Sequence, residues 1–97
     1  MRLRWDARAI QDLHDIRSYI SARSSPAAAN RVRQNLHARA DRLRVHPCIG
    51  VDTRKTELRI LQPTRYPYRI YYMVQGDEIV ILHIRHTARG APDDLKT

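Results

Sequence analysis

The sequence predicts one two-layer α+β domain in which an N-terminal strand and a helical hairpin precede three strands, in the order β-α-α-β-β-β. Apolar residues recur with helical spacing in the first half of the chain, and in the second half they alternate with polar residues as in half-buried strands. Turn-forming residues separate these segments, and no repeat or linker divides the chain. A chain of 97 residues suffices for one domain, so we predict a single domain over residues 1–97, of which about 90–97 form a short tail.

The N-terminal segment predicts a short strand followed by a helix. Residues 2–5 alternate polar and apolar side chains. Asp6 is suited to cap the helix, because its carboxylate can accept the free N–H groups of the first turn. The helix is expected to end near residues 22–24, with Asp12 on or near its solvent side. Its apolar positions are Ile10, Leu13, Ile16 and Ile20.

A second helix is predicted directly afterwards. Ser25 fits the N-cap and Pro26 the first helical position, where its missing N–H costs nothing. So short a break predicts an antiparallel helical hairpin. Residues 26–46 hold five arginines and one aspartate, a net charge of +4. On the surface of this helix, Arg31, Arg33, Arg39, Arg42 and Arg44 could line a nucleic-acid backbone or equally dock an acidic protein segment. The apolar face consists of Ala29, Val32, Leu36, Ala40 and Leu43.

The second half of the chain predicts three antiparallel strands. Pro47 and Gly50 end the helical region, and Gly76 supplies the hairpin turn between the last two strands. Strict alternation puts Val80, Leu82 and Ile84 on one side of the last strand. The helical hairpin is expected on one face of a small antiparallel sheet, and the other face, with Arg59, Arg69 and Tyr71, is expected to remain partly open.

Composition narrows the classes of function. Eighteen basic residues against ten acidic ones give a net charge of +8, which favours an anionic partner. The single cysteine excludes an internal disulfide and a cysteine-built zinc site. We expect no cofactor and no metal, since His83 and His86 have no further ligand at a suitable spacing. No apolar run could span a membrane, so a soluble cytoplasmic protein is expected, with Asp93 and Asp94 in a solvated tail.

A group of basic residues late in the chain has two interpretations. Arginine forks could neutralise a phosphate, and an imidazole could move protons near neutral pH. Alternatively, the same arginines cover apolar surface with their stems on a solvated sheet face. The group comprises Arg59, Arg69, Arg85 and Arg89 with His83 and His86.

The ordered set of motifs resembles the RelE/ParE superfamily of toxins from bacterial type II toxin–antitoxin systems. The motifs that carry the resemblance are Glu-Leu at residues 57–58, Pro-Tyr-Arg-Ile-Tyr-Tyr at 67–72, Gly-Asp at 76–77 and His-Thr-Ala-Arg at 86–89. The similarity runs over nearly the whole chain. Its branches differ in mechanism: ParE-like toxins bind DNA gyrase and stabilise its cleaved DNA complex, whereas RelE-like toxins are metal-independent, ribosome-dependent mRNA endonucleases.

The resemblance assigns residues differently in the two branches. In the nuclease interpretation Arg69 and Arg89 match arginines that bind the scissile phosphate, Arg59 assists, and His86 is the candidate proton carrier. The tail tyrosine or histidine of the nucleases has no counterpart in residues 90–95. The sequence around residues 57–58, 67–69 and 86–89 is more similar to ParE, so the gyrase branch is favoured. A toxin-like fold that has lost activity and only binds an antitoxin is a further alternative.

Both branches imply the same kind of partner. The resemblance implies a cognate antitoxin whose extended acidic, amphipathic tail wraps the toxin in a hetero-oligomer. The basic second helix suits such a tail. We therefore expect Arg31, Arg33 and Arg42, with Leu36 between them, to contact the antitoxin.

Overall fold

The structure, a computed structural model, describes residues 1–55 and 57–95; Lys96 and Thr97 of the expected tail lie outside this range. The expected α+β class and the order strand, two helices, three strands are confirmed. A two-residue strand that the sequence did not predict precedes the three. The elements are β1 (Arg2–Trp5), α1 (Ala7–Arg23), α2 (Pro26–Arg42), β2 (Val51–Asp52), β3 (Leu58–Leu61), β4 (Tyr68–Gln75) and β5 (Glu78–His86), then a 3₁₀ turn at Asp93–Leu95.

Both helices begin at the predicted caps. The carboxylate of Asp6 accepts the Arg8 N–H at 3.0 Å, and the Ser25 hydroxyl accepts the Ala28 N–H at 3.0 Å. Each bond satisfies a donor that the first helical turn leaves without a partner. The two helices therefore start where the sequence predicts, and only two residues separate them.

The sheet has the order β1-β5-β4-β3-β2, and one of its pairings was not expected. β1 pairs with β5 in parallel, whereas β2, β3, β4 and β5 are joined by antiparallel pairings. The sheet is thus not wholly antiparallel. The parallel pair joins the first strand to the last, so no local pattern in the sequence could indicate its direction.

The helical hairpin covers the inner face of the sheet. All five residues of the predicted apolar face of α2 are buried. α1 contributes Ala9, Leu13, Ile16 and Ile20, but Ile10 is 55% exposed and is not part of the core as expected. The helix turns Ala9 rather than Ile10 towards the sheet. Arg39, expected on the surface, is only 7% exposed.

A β-bulge in β5 changes which residues face the core. Tyr71 pairs with His83 and Tyr72 with Ile81, so Leu82 is an extra residue without a partner. The bulge reverses the alternation, and Ile84 joins Ile79 and Ile81 in the main core. The prediction that Ile84 shares a face with Leu82 was therefore wrong, because strict alternation cannot anticipate an inserted residue.

The outer face of the sheet, which points away from the helices, is not open as expected. It carries a second apolar cluster of Leu58, Tyr71, Val80 and Leu82. The tail crosses it: Ala91 and Leu95 pack against this cluster, and Pro92 is fully buried. Within residues 1–55 and 57–95, no helix has both the length and the apolar character that crossing a membrane requires.

Candidate functional site

A groove lies between α1 and the end of the sheet. Its volume is about 530 Å³. One wall is α1, and the other is formed by the ends of β4 and β5 and the turn that follows them. The lining residues are Asp12, Asp15, Ile16 and Tyr19 on the first wall and Tyr68, Ile84, His86, Ala88 and Arg89 on the second.

The groove exists because β5 is longer than its neighbour β1. β1 ends at Trp5, which pairs with Ile81, and β5 continues to His86. Beyond this point α1 lies beside β5. The carboxylate of Asp12 accepts the backbone N–H of Ile84 at 2.9 Å and so satisfies a donor that no strand reaches.

The sheet wall of the groove is ordered by aromatic and backbone contacts. The rings of Tyr68 and His86 meet edge to face, with centroids 5.4 Å apart. His86 Nδ1 accepts the N–H of Ala88 at 3.0 Å, so a neutral His86 ring carries its proton on Nε2. Burial raises the pKa of the Tyr68 hydroxyl, which therefore stays protonated at neutral pH.

Charge is divided across the groove. Asp12 and Asp15 line the α1 wall, and His86 and Arg89 line the sheet wall. Ile16, Ile84 and the two tyrosine rings lie among them, and Tyr19 is 58% exposed. An exposed aromatic ring beside an exposed arginine is typical of sites where a few residues dominate protein–protein binding. The groove therefore suits a protein segment with an apolar centre and charges at its edges.

The four residues of the nuclease interpretation do not meet at one site. His86 and Arg89 line the groove together. Arg69 pairs with Arg85 on the outer face, because the adjacent pair Tyr68 and His86 points to the inner face. The Arg69 Nε donates to the Gln62 side-chain oxygen at 3.3 Å. The thickness of the sheet thus separates Arg69 from His86.

Arg59 is occupied elsewhere. It lies opposite Tyr72 on the inner face, not on the outer face as expected. Its Nη1 donates to the carbonyl oxygens of Gly50 at 2.9 Å and Cys48 at 3.2 Å. Its other terminal nitrogen lies 4.0 Å from Asp52. Arg59 therefore anchors the loop between α2 and β2.

The candidate antitoxin residues fall into three environments. Arg31 and Arg42 are exposed and, being eleven residues apart, project from the same side of α2. Arg33 is on the other flank and donates to Asn30 at 2.7 and 3.2 Å. Leu36 is fully buried in the core, so its inclusion among the contact residues was wrong: an apolar residue on this helix face packs against the sheet.

The basic surface of α2 is also smaller than expected, because the Arg39 side chain is buried. Arg39 donates from Nη1 to the Tyr68 carbonyl at 3.1 Å and from Nη2 to the Gln62 carbonyl. Burial lowers the pKa of Arg39, although the group remains charged at any physiological pH. Arg39 is thus a structural link between α2 and the start of β4.

Sequence reasoning did not identify several groups near the groove. Asp12 was assigned to the solvent side of α1, and Asp94 to a solvated tail. Asp12 instead contacts β5, and Asp94 contacts His83 and Arg8. No signal in the sequence pairs these residues, because the contacts of Asp12 with β5 and of Asp94 with Arg8 join segments far apart in the chain, and the contact of Asp94 with His83 depends on the path of the tail. In the described residues no three histidine, cysteine or acidic side chains are grouped so as to hold a metal ion.

Comparisons with known proteins point to toxins of type II toxin–antitoxin systems. A family model described as the ParE toxin of the type II toxin–antitoxin system parDE matches residues 3–90. Among sequences, "Putative toxin Y4kP" of Sinorhizobium fredii is 33% identical over 94 residues, covering 97% of this chain and 96% of that protein. "Toxin RelE2" of Caulobacter vibrioides is 38% identical over 86 residues, covering 88% and 93%.

Two solved structures share the fold. A chain of the chromosomal ParDE system of P. aeruginosa superimposes with a TM-score of 0.80 at 26% identity, over 89% of this chain and 95% of that one. A chain of the intact E. coli RelBE toxin–antitoxin complex gives a TM-score of 0.66 at 16% identity, over 91% and 98%. The latter identity supports a common fold and nothing finer.

Proposed function

Because this chain belongs to the ParE toxin family of type II toxin–antitoxin systems, we propose that it inhibits growth by binding DNA gyrase and stabilising the cleaved gyrase–DNA complex. A cognate antitoxin neutralises it by binding in a hetero-oligomer. In this mechanism the toxin supplies contacts and no chemical step.

One observation carries this choice between the two branches. An endonuclease needs its phosphate-binding arginines and its proton carrier around one phosphate, within hydrogen-bond reach. In this fold Arg69 is on the outer face, Arg59 is bound to the 48–50 loop, and His86 with Arg89 lines the groove. This separation supports a toxin that acts by binding.

The antitoxin surface that we propose is the exposed side of α2. Arg31 and Arg42 project together, three turns apart, and Arg33 adds positive charge on the other flank. Five other arginines of the described chain already contact carboxylates, namely Arg2, Arg4, Arg8, Arg44 and Arg59. Arg31 and Arg42 are therefore exposed arginines suited to an acidic segment of a partner.

Reversing charge on α2 tests the antitoxin surface. We expect Arg31→Glu with Arg42→Glu to weaken antitoxin binding by about tenfold or more, because like charges facing each other across an interface cost several kcal/mol. Isothermal titration calorimetry at two salt concentrations measures this loss. Arg54→Glu with Arg65→Glu changes the net charge equally on exposed loops outside α2 and should leave the affinity within about twofold. Equal affinities of both double variants would remove α2 from the interface.

The gyrase-binding surface that we propose is the groove beside α1. It combines an exposed tyrosine, Tyr19, with an exposed arginine, Arg89, and opposing carboxylates. None of the residues that line the groove belongs to α2, so the two proposed surfaces consist of different residues. Arg89 follows the last strand and is attached to it by a bond from its N–H to the His86 carbonyl at 2.9 Å.

Two arginine variants separate the gyrase mechanism from the nuclease mechanism. We expect Arg89→Ala to require about tenfold more protein for the same amount of trapped cleaved DNA, since exposed arginines at binding centres contribute one to several kcal/mol. Arg69→Ala, on the opposite face, should act as the wild type does. An unchanged thermal midpoint for both variants verifies that each is folded. If Arg69→Ala abolishes toxicity and Arg89→Ala has no effect on gyrase, the nuclease mechanism replaces this proposal.

A further inference from the structure

His83 is a buried histidine held between two carboxylates from different segments. Its Nδ1 lies 3.1 Å from Asp12 on α1, and its Nε2 lies 3.1 Å from Asp94 in the tail. The His83 side chain is 11% exposed, and that of Asp12 is 19% exposed. The proposed target contacts do not use His83, so this arrangement needs a separate explanation.

Only one protonation state of the ring satisfies both carboxylates. An ionised carboxylate accepts hydrogen bonds and cannot donate them, whereas a neutral imidazole has a single N–H. The doubly protonated ring donates to Asp12 and Asp94 at once. After loss of either proton, a nitrogen lone pair faces a carboxylate oxygen, and one of the two contacts becomes repulsive.

We propose that His83 is a proton-controlled clasp: its charged ring holds the C-terminal tail on the outer face of the sheet, and deprotonation of the ring releases the tail. This inference concerns the tail and does not depend on which target the toxin binds. Release of the tail would make the solvent exposure of the apolar outer face depend on pH.

The tail is the side of the clasp that opens. Asp12 also accepts the Ile84 N–H at 2.9 Å and belongs to a helix that packs against the main core. Asp94 belongs to a three-residue 3₁₀ turn, and its second side-chain contact is with the guanidinium group of Arg8, which is half-exposed. A neutral ring therefore keeps its proton on Nδ1, where Asp12 is fixed, and loses the contact with Asp94.

The surrounding charges determine the direction of the pH response. Burial opposes the ionisation of Asp94, but the hydrogen bond and charge of His83, with the charge of Arg8, outweigh it and hold the pKa of Asp94 below its ordinary value. Asp94 thus stays ionised well into the acid range. Tyr71 faces His83 from β4, and Arg85 follows it on the same face of β5. Arginine stays charged in proteins, so the ring and the carboxylates control the clasp.

The clasp is therefore closed while the ring carries both protons, and it opens when the ring loses one of them as the pH rises. It opens again only in strong acid, where Asp94 takes up a proton. Opening withdraws Ala91, Pro92 and Leu95 from the second apolar cluster. The uncovered residues are Leu58, Tyr71, Val80 and Leu82.

Hydrogen exchange of the tail amides tests the clasp in the full free chain. The N–H of Leu95, which donates to the Pro92 carbonyl at 2.9 Å, is the probe. We expect its protection factor, corrected for the intrinsic rate at each pH, to fall about tenfold or more between pH 5.5 and pH 8.0, the loss expected for one charged hydrogen bond. The ring nitrogen shifts of His83 should show two protonated nitrogens at pH 5.5.

Variants distinguish the clasp from a general effect of pH. Asp94→Asn should give low protection at both pH values, and His83→Gln should remove the pH dependence. His14→Gln, an exposed histidine on α1, should behave as the wild type. Because Asp94 is a surface residue, its variant remains informative if His83→Gln fails to fold. The proposal is overturned if tail protection is the same at both pH values, or if Asp94→Asn retains the wild-type dependence.

Discussion

Replacing Gly50 by alanine is expected to lower the free energy of unfolding by about 2–4 kcal/mol. A Cβ atom at this position would lie 2.5 Å from the Tyr72 hydroxyl oxygen and 2.6 Å from a carbon of its ring. Tyr72 is fully buried and cannot turn away. Its hydroxyl also donates to the Pro47 carbonyl at 2.8 Å and accepts the Gly50 N–H at 2.8 Å. The added methyl group must therefore displace either the ring or the loop.

Chemical denaturation measures this effect, and a second glycine provides the control. Gly90 is exposed, and no atom lies within 4 Å of a Cβ built there. Gly90→Ala should therefore stay within about 0.5 kcal/mol of the wild type. A Gly50→Ala protein as stable as Gly90→Ala would contradict the described packing of the 46–50 loop on Tyr72.

Replacing Arg39 by methionine is expected to destabilise the fold by about 2–3 kcal/mol. The guanidinium group joins α2 to two backbone carbonyls, those of Tyr68 and Gln62, and methionine, which replaces only the apolar stem of arginine, can donate to neither. The Tyr68 carbonyl would lose a charged donor in a buried environment, and the Gln62 carbonyl would lose one in a partly buried environment. Tyr68 also lines the groove, so the same change should loosen the groove wall.

An exposed arginine of the same helix is the matched control for Arg39. Arg42→Met removes the same charge from an exposed position, and it should change stability by less than about 0.5 kcal/mol. Thermal unfolding of both variants at one pH separates the effect of burial from that of charge. Equal midpoints for Arg39→Met and Arg42→Met would show that the two backbone bonds contribute nothing.

The features that local sequence determines were predictable. The Asp6 and Ser25 caps, the buried face of α2 and the turn at Gly76 depend on residues a few positions apart, and the structure has them as expected. The parallel pairing of β1 with β5 and the bulge at Leu82 depend on partners elsewhere in the chain. A single inserted residue in β5 was enough to move Ile84 to the other face.

The candidate site was harder to predict for the same physical reason. Sequence proximity grouped Arg59, Arg69, His86 and Arg89, but alternation and register divide them between two faces and two ends of the sheet. Conversely, His83, Asp12 and Asp94 are brought together only by the fold. Residue type was informative for Arg89, whose exposure after the last strand could be expected. It was misleading for Arg39, whose burial depends on carbonyl groups that no sequence pattern indicates.

The central proposal is that the protein acts on gyrase by binding, and a cleavage reaction tests it most directly. Purified protein is titrated into gyrase with supercoiled plasmid and ATP, and the reaction is stopped with denaturant. The proposal predicts that linear DNA covalently attached to gyrase accumulates with increasing protein and disappears when the antitoxin is added. Unchanged gyrase products, obtained with protein that is folded and binds its antitoxin, would contradict the proposal. New mRNA 5′ ends after expression of the toxin is induced would then identify a ribosome-dependent nuclease.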